Sequence, residues 1–277
     1  MAADIPRIAA SSYLNTAPLV WSFLYGANRG RAEVLLDFAP ARSAEMLSDG
    51  RVQAALVPVI ASQFIDGVRI VPDVCVGAED QVRSVCLVTK DTELENVRSV
   101  ALDTSSRTSV VLTKIIFREF LGFEPEWRSA EPRIGEMLNT SDAALVIGDP
   151  ALLINSDEHK ELRIFDLAGL WRRYTGLGFI FAMWMTGERQ CEIDFEAARD
   201  EGIAHIGQII SNYEGHIPLG HDTLNEYLTQ NIRFSVSDEM QAGLELYIDL
   251  AARNGLIETR KALLYTEKSK EDQEKRT

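Results

Sequence analysis

The sequence predicts an α/β protein of two lobes with a ligand cleft between them. Three observations lead there. Short apolar strands alternate with short helices in two successive series; polar turns stand where strands feed helices; and from Asp194 onward helix follows helix, a return that completes the first lobe. Ligands of such sheets sit beyond the carboxyl ends of the strands, so these polar turns are expected to face one cleft.

The first series opens with an apolar strand, Ile5 to Ala10, that stops at Ser11-Ser12-Tyr13-Leu14-Asn15-Thr16. Ala17 to Leu24 then reads as a helix with Pro18 in its first turn, where a missing N–H costs nothing. Asparagine in such a turn is commonly a turn former or cap. Val34 to Phe38 is a second strand, Arg42 to Leu47 a short helix ended by Asp49-Gly50, and Ala54 to Ile60 a third strand, apolar throughout. Alternation of this kind implies parallel pairing with right-handed crossovers. Ile70 to Val76 and Val82 to Thr89 are strand-like on either side of a polar turn, Gly77 to Gln81. Arg83 and Ser84 fall in the second of these, where an arginine ordinarily snorkels to solvent or pairs with an acid.

The second series begins with Val97 to Leu102, a strand that runs through Asp103-Thr104-Ser105-Ser106-Arg107 into a helix whose apolar positions are Val111, Leu112, Ile115, Ile116 and Phe120. Thr104, Ser105 and Ser106 are all good N-caps. Free N–H groups, the positive dipole end and the Arg107 fork would together hold a carboxylate or phosphate; a plain capping turn with an exposed arginine fits the same residues. Next come a strand at Glu126 to Ser129, a helix at Arg133 to Leu138, and the apolar strand Ala143 to Ile147, closed by Gly148-Asp149-Pro150. After Leu162 to Phe165, the segment Trp171-Arg172-Arg173-Tyr174 offers either a lid over a ring-shaped ligand or an amphipathic helix surface. Phe179 to Met185 is an aromatic strand, and helices are predicted over Phe195 to Tyr213, Thr223 to Gln230 and Asp238 to Asn254. The expected lobes are residues 1–87 with 179–265, and residues 88–178, with strands crossing near 82–89 and 179–185 and a disordered charged tail at 266–277.

A chain of 277 residues, 46% hydrophobic and 25% charged, buries a core with ease. Its net charge of −14 argues against nucleic acid or an anionic membrane as partner, since both need a basic face. Three cysteines, Cys75, Cys86 and Cys191, without CxxC or CxxH spacing, suggest neither a disulfide framework nor a zinc site. Asp4 and Pro6 stand where a signal peptide would place a cationic region and an apolar run, and no apolar stretch approaches the roughly 18 residues of a membrane span, so a cytoplasmic protein is expected. His159, His205, His216 and His221 are scattered, and neither GxSxG, GxGxxG nor GxxxxGK[ST] occurs. The site is therefore built from hydroxyls, amides, arginines and helix ends.

Six stretches together resemble the chorismate dehydratases of the futalosine route to menaquinone, a group that also holds 1,4-dihydroxy-6-naphthoate synthase. They are Ser11-Ser-Tyr-Leu-Asn-Thr-Ala-Pro-Leu19, Ala55-Leu-Val-Pro-Val59, Val82-Arg-Ser-Val-Cys-Leu87, Leu102-Asp-Thr-Ser-Ser-Arg-Thr-Ser-Val110, Ala144-Leu-Val-Ile-Gly-Asp-Pro-Ala-Leu152, and Asp166-Leu-Ala-Gly-Leu-Trp171 with Tyr174-Thr-Gly-Leu177. They span most of the chain up to about Trp184; the helical third resembles the group in layout alone, and Gly77-Ala-Glu-Asp-Gln departs from the glycine-proline pair expected there. The resemblance implies a periplasmic-binding-protein-like type II fold closing on a small dianion, and loss of water from chorismate to give 3-[(1-carboxyvinyl)oxy]benzoate with no cofactor and no metal. It implies that Asn15 hydrogen-bonds the departing hydroxyl or orients the ring. Thr104, Ser105, Ser106, Arg107 and Thr108 would hold a carboxylate, with Ser84 and Arg83 supporting the ligand from the hinge. Ser11, Ser12 and Tyr13 on one side, Gly148 and Asp149 on the other, and Trp171 as a lid complete the expected site. A substrate carboxylate is expected to take the proton, Asp149 being the one protein candidate in these turns. A monomer or weak homodimer is expected. The alternatives are a non-catalytic binding protein for a small dianion, and the sister naphthoate synthase, which should carry a histidine in the second lobe, where this chain has only His159.

Overall fold

The computed structural model describes residues 5–154, 162–187 and 191–267. The tail from residue 268 onward and His159 lie outside the described residues. The strands are β1 (Arg7–Ser11), β2 (Glu33–Asp37), β3 (Ala54–Pro58), β4 (Arg69–Ala78), β5 (Val85–Lys90), β6 (Ser99–Asp103), β7 (Glu126–Ala130), β8 (Ala143–Ile147), β9 (Leu162–Asp166) and β10 (Phe179–Thr186). They form two five-stranded sheets, ordered β2-β1-β3-β10-β4 and β7-β6-β8-β5-β9.

In each sheet the pairs made by consecutive βα units are parallel, as the alternation predicts, and one strand runs against them. β1 pairs parallel with β2 and β3, whereas β10 is antiparallel to β3 and β4. β6 pairs parallel with β7 and β8, and β5 is antiparallel to β8 and β9. The chain passes from the first sheet to the second between Ala78 and Val85 and returns before Phe179. The predicted boundary at residues 87 and 88 falls inside β5, which among the described residues pairs with β8 and β9 of the second sheet. β3 (AALVP) and β8 (AALVI) are buried at every position, which explains why they read as unbroken apolar runs.

The helices are α1 (Ala17–Leu24), α2 (Pro40–Ser48), α3 (Thr108–Ile115), α4 (Ile134–Thr140), α5 (Asp149–Ile154), α6 (Leu167–Thr175), α7 (Phe195–Ala204), α8 (Ile206–Tyr213), α9 (His221–Glu226) and α10 (Asp238–Arg253). Side-chain caps start several of them: Asp166 accepts from Gly169 N–H at 2.9 Å for α6, Asp194 from Ala197 N–H at 2.8 Å for α7, and Ser237 from Met240 N–H for α10. α1 packs on α7, and α10 lies along β10. That last approach needs a glycine, because a Cβ on Gly243 would stand 2.0 Å from the Gly178 carbonyl oxygen.

Three sequence expectations give way to tertiary contacts. The strand expected over Val82 to Thr89 begins at Val85, because Val82 and Arg83 turn their N–H groups onto the Asp166 carboxylate, at 3.2 and 2.6 Å, and Arg83 takes a left-handed φ of 61°. The helix expected over Phe195 to Tyr213 breaks at His205, whose Nδ1 lies 2.7 Å from the Glu201 carbonyl and whose ring stacks on Trp21 at 3.9 Å. The helix expected over Thr223 to Gln230 is regular over α9 and then widens into one turn, Tyr227–Asn231. No helix among the described residues is long and apolar enough to cross a membrane.

Candidate active site in the cleft between the sheets

Hydroxyl-rich turns from the two sheets meet over a cavity of about 60 Å³. β1 ends at Ser11, and the chain folds into a single 3-10 turn, Leu14–Thr16, before α1. The Thr16 hydroxyl shapes that turn, lying 2.6 Å from the Ser11 carbonyl and 2.8 Å from the Tyr13 carbonyl. Ser11, Tyr13, Asn15 and Thr16 face the cavity from this side. Opposite them stand Ser106, Thr108 and Ser109 around the start of α3, and Ile147 and Gly148 at the end of β8. Leu56, Pro58, Val76, Val85 and Phe181 make an apolar wall. Among the described residues no charged or histidine side chain lines the cavity, so recognition of an anion there falls to hydroxyls, the Asn15 amide and the α3 N-terminus.

Direct contacts tie the two halves together across the cavity. Leu14 N–H donates to Asp149 Oδ1 at 3.0 Å, Ala41 N–H to the Ser105 carbonyl at 3.3 Å, and Tyr247 O–H to the Thr108 carbonyl at 3.0 Å. The Tyr13 ring lies flat against Gly148, where φ is 69° and a Cβ would meet ring carbons at 2.6 Å. Any larger residue would be strained there and would push the ring away. Burial pushes the Tyr13 phenol up to about 12, against a lowering hydrogen bond with Ser105, so it stays a neutral donor. Burial also pushes the Asp149 carboxyl up to about 6, and the bond from Leu14 N–H offsets part of that rise.

The expected site residues separate into two groups. Ser11, Tyr13, Asn15, Ser106, Thr108 and Gly148 line the cavity. The others do not, for identifiable reasons. Ser12 gives its carbonyl to Tyr213 O–H at 3.1 Å, behind the turn. Thr104 is exposed, and Ser105 is spent on Asp103, donating from N–H at 2.8 Å and from Oγ at 2.6 Å. Arg107 turns outward to Glu45 at 2.9 Å, and Arg83 lies 3.9 Å from Glu226. Ser84 is fully buried, accepting from Gly148 N–H at 2.8 Å through its carbonyl. Asp149 reaches back to Leu14. Trp171 is a core residue: its indole N–H donates to the Gly178 carbonyl at 3.1 Å, and its ring packs edge-on against Phe179 and Tyr247.

Residues that sequence reasoning passed over also reach the site. Ser109 lies three positions after Ser106, the helical spacing that would have placed it on the same face, whereas Thr16 belongs to the polar turn expected to face the cleft. Tyr227 had no local signal. Its buried hydroxyl sits beside the Ser84 hydroxyl and the Asn15 amide, without a hydrogen bond of ordinary geometry, and burial drives its acidity far down. Among the described residues, no group of three His, Cys, Asp or Glu side chains is placed to hold a metal ion.

A family model described as menaquinone biosynthesis matches residues 6–253. The chain belongs to that family. Among its curated relatives is a chorismate dehydratase of Thermus thermophilus, 28% identical over 260 residues, covering 86% of this chain and 92% of that one. Solved structures of similar shape include a protein from Archaeoglobus fulgidus, with a TM-score of 0.72 at 15% identity over 91% of this chain and 98% of that one. The periplasmic aliphatic sulphonate binding protein of Escherichia coli superposes with a TM-score of 0.61 at 14% identity, over 96% and 95% of the two chains. At such identities these likenesses establish the fold alone, and the chain has the two-lobed periplasmic-binding-protein fold that its sequence resembles.

Proposed function

We propose that this protein is a hydro-lyase that removes water from chorismate to give 3-[(1-carboxyvinyl)oxy]benzoate, working without metal or cofactor in the futalosine route to menaquinone in the cytoplasm. The observation that carries the reading is a cavity without charged lining residues, lined by Asn15 from the Tyr13-Leu14-Asn15 turn, in a chain 28% identical to a chorismate dehydratase.

Loss of the C4 hydroxyl and the C3 proton makes the ring aromatic, so the driving force lies in the substrate. The protein has to position it and stabilise developing charge. In this reading the hydroxyls of Ser106, Thr108 and Ser109, with the free N–H groups at the start of α3, hold one carboxylate. Arg107 leaves that role because it is paired with Glu45 outside the cavity. Asn15 donates to the departing hydroxyl, while Leu56, Val76, Val85 and Phe181 keep water from the ring face. With no acid, histidine or lysine among the described residues lining the cavity, a substrate carboxylate takes the C3 proton as the C4–O bond breaks and passes it to the departing hydroxyl, which leaves as water.

The test is to mix purified protein with chorismate, without added metal or cofactor, and follow chorismate loss and product mass together. Protein-dependent loss of one water per chorismate is the expected result. Tight binding without turnover would make the protein a binding protein for a small dianion, and neither binding nor turnover would remove the reading altogether.

A further inference from the structure

We infer that Asp149 is a positioning residue: from the second sheet, its side-chain oxygen clamps the turn that carries Asn15, so that Asn15 is set for its task only while the two lobes are together. The inference rests on the chorismate reading for what Asn15 does, and on geometry alone for the clamp.

Asp149 opens α5 one residue beyond the end of β8, and Leu14 opens the turn that follows Ser12 and Tyr13 after β1 in the other sheet. Its Oδ1 accepts from Leu14 N–H at 3.0 Å. That N–H stands at the start of a 3-10 turn, where no carbonyl of the turn can receive it, so the acceptor must come from elsewhere. The residue that follows is Asn15. Both ends of the clamp are braced. Gly148 N–H donates to the Ser84 carbonyl at 2.8 Å, fixing the turn after β8 to the entry of β5, and the Tyr13 ring lies against Gly148 with no room for a Cβ. Thr16 holds the far end of the Asn15 turn to the carbonyls of Ser11 and Tyr13. Asp149 itself does not line the cavity, so it meets the reaction through Asn15 and not through the substrate. A separation of the lobes would break this bond and free the turn, and their approach would restore it, keeping the elimination machinery unassembled until the substrate is enclosed.

Asp149→Asn keeps an oxygen that can accept from Leu14 N–H, whereas Asp149→Ala removes it. Turnover of chorismate would be measured for both variants, for Asn15→Ala, and for the Asn15→Ala/Asp149→Ala pair. The clamp predicts that D149A loses about thirtyfold or more in kcat, that D149N stays within about fivefold of wild type, and that D149A adds less than about threefold once Asn15 is already gone. A D149N loss as large as that of D149A would mean that the ionisable carboxyl is needed, and would overturn the clamp. So would losses that multiply in the double variant. Hydrogen exchange of the peptide spanning residues 12–17, read by mass spectrometry, tests the clamp without any turnover. Exchange there should quicken about tenfold or more in D149A and hold in D149N, because a lost hydrogen bond lets the turn open; unchanged exchange in D149A would overturn the clamp even if chorismate is the substrate. Quickened exchange in a protein that leaves chorismate untouched would uphold the clamp and reject the chorismate reading instead. Should D149A fail to fold, Asp149→Ser, too short to reach Leu14, takes its place in both arms.

Discussion

Replacing Asp149 by Asn should make the protein more stable near neutral pH and leave its stability near pH 4 comparatively unaltered. Burial raises the Asp149 carboxyl from 3.8 to about 6, while a bond from Leu14 N–H pulls the other way. Between those two values the folded state holds a proton that the unfolded chain has released, so stability falls as pH rises through the window and stays reduced above it. A shift of about two units corresponds to about 3 kcal/mol at about 1.4 kcal/mol per unit. Asp149 keeps partial exposure, so water screens some of this and the working figure is about 2 kcal/mol. Asn at the same place has no charge to bury and retains an oxygen for Leu14 N–H. Burial also raises Asp103 and Asp166, and both are common to the two proteins, so their effects cancel in the comparison. The assay is urea unfolding of wild type and D149N at intervals from pH 4 to pH 8. The difference in unfolding free energy should grow in favour of D149N by about 2 kcal/mol across that range, with most of the change below pH 6.5. A difference independent of pH would show that Asp149 ionises without cost in the folded protein, and the electrostatic account of the cleft would fall.

Asn15→Ala should lower kcat on chorismate by about a hundredfold or more with chorismate affinity changed far less, since a donor aimed at the leaving group acts in the transition state; steady-state kinetics within tenfold of wild type would remove that role. Ser109→Ala should raise KM by about threefold to thirtyfold, while Arg107→Ala should leave it within about threefold, because Arg107 is paired with Glu45 outside the cavity; the reverse order in a substrate titration would return the carboxylate to Arg107. Gly148→Ala should cost about 2 kcal/mol or more in urea unfolding and most of the turnover, given φ of 69° and Tyr13 ring carbons 2.6 Å from the new Cβ; a wild-type midpoint would mean that the ring and turn can yield. Trp171→Phe should lower the unfolding midpoint through loss of the bond to the Gly178 carbonyl while leaving KM near wild type, as suits a core residue.

The parts of the fold written in local pattern are the parts that sequence conveys well. β3 and β8 are apolar at every position because both faces are covered, and the turns after β1, β6 and β8 declare themselves by clustered Ser, Thr, Asn and Gly. The direction of a side chain within a turn is not written locally. Ser105 and Ser106 are equal as caps, yet Asp103 claims Ser105 and leaves Ser106 to the cavity. Arg107 looked like the charge of an anion site until Glu45, 62 residues away in sequence, came within 2.9 Å of it. Trp171 sits among aromatic and basic neighbours that suit a lid, but the return of the chain at Gly178 and the packing of α10 bury it. Tyr227 reaches Asn15 and Ser84 only because the helical third folds back over the crossing between the sheets, which no local period records.

The measurement that tests the central claim most directly is a proton NMR time course of chorismate with a catalytic amount of the protein, in buffer without added metal or cofactor. The account predicts that the ring-diene signals of chorismate give way to those of a meta-substituted aromatic ring while the enolpyruvyl methylene signals persist, at a rate set by protein concentration and lost in Asn15→Ala. Chorismate signals that broaden with the protein yet never convert, or that convert at the rate of buffer alone, would contradict it.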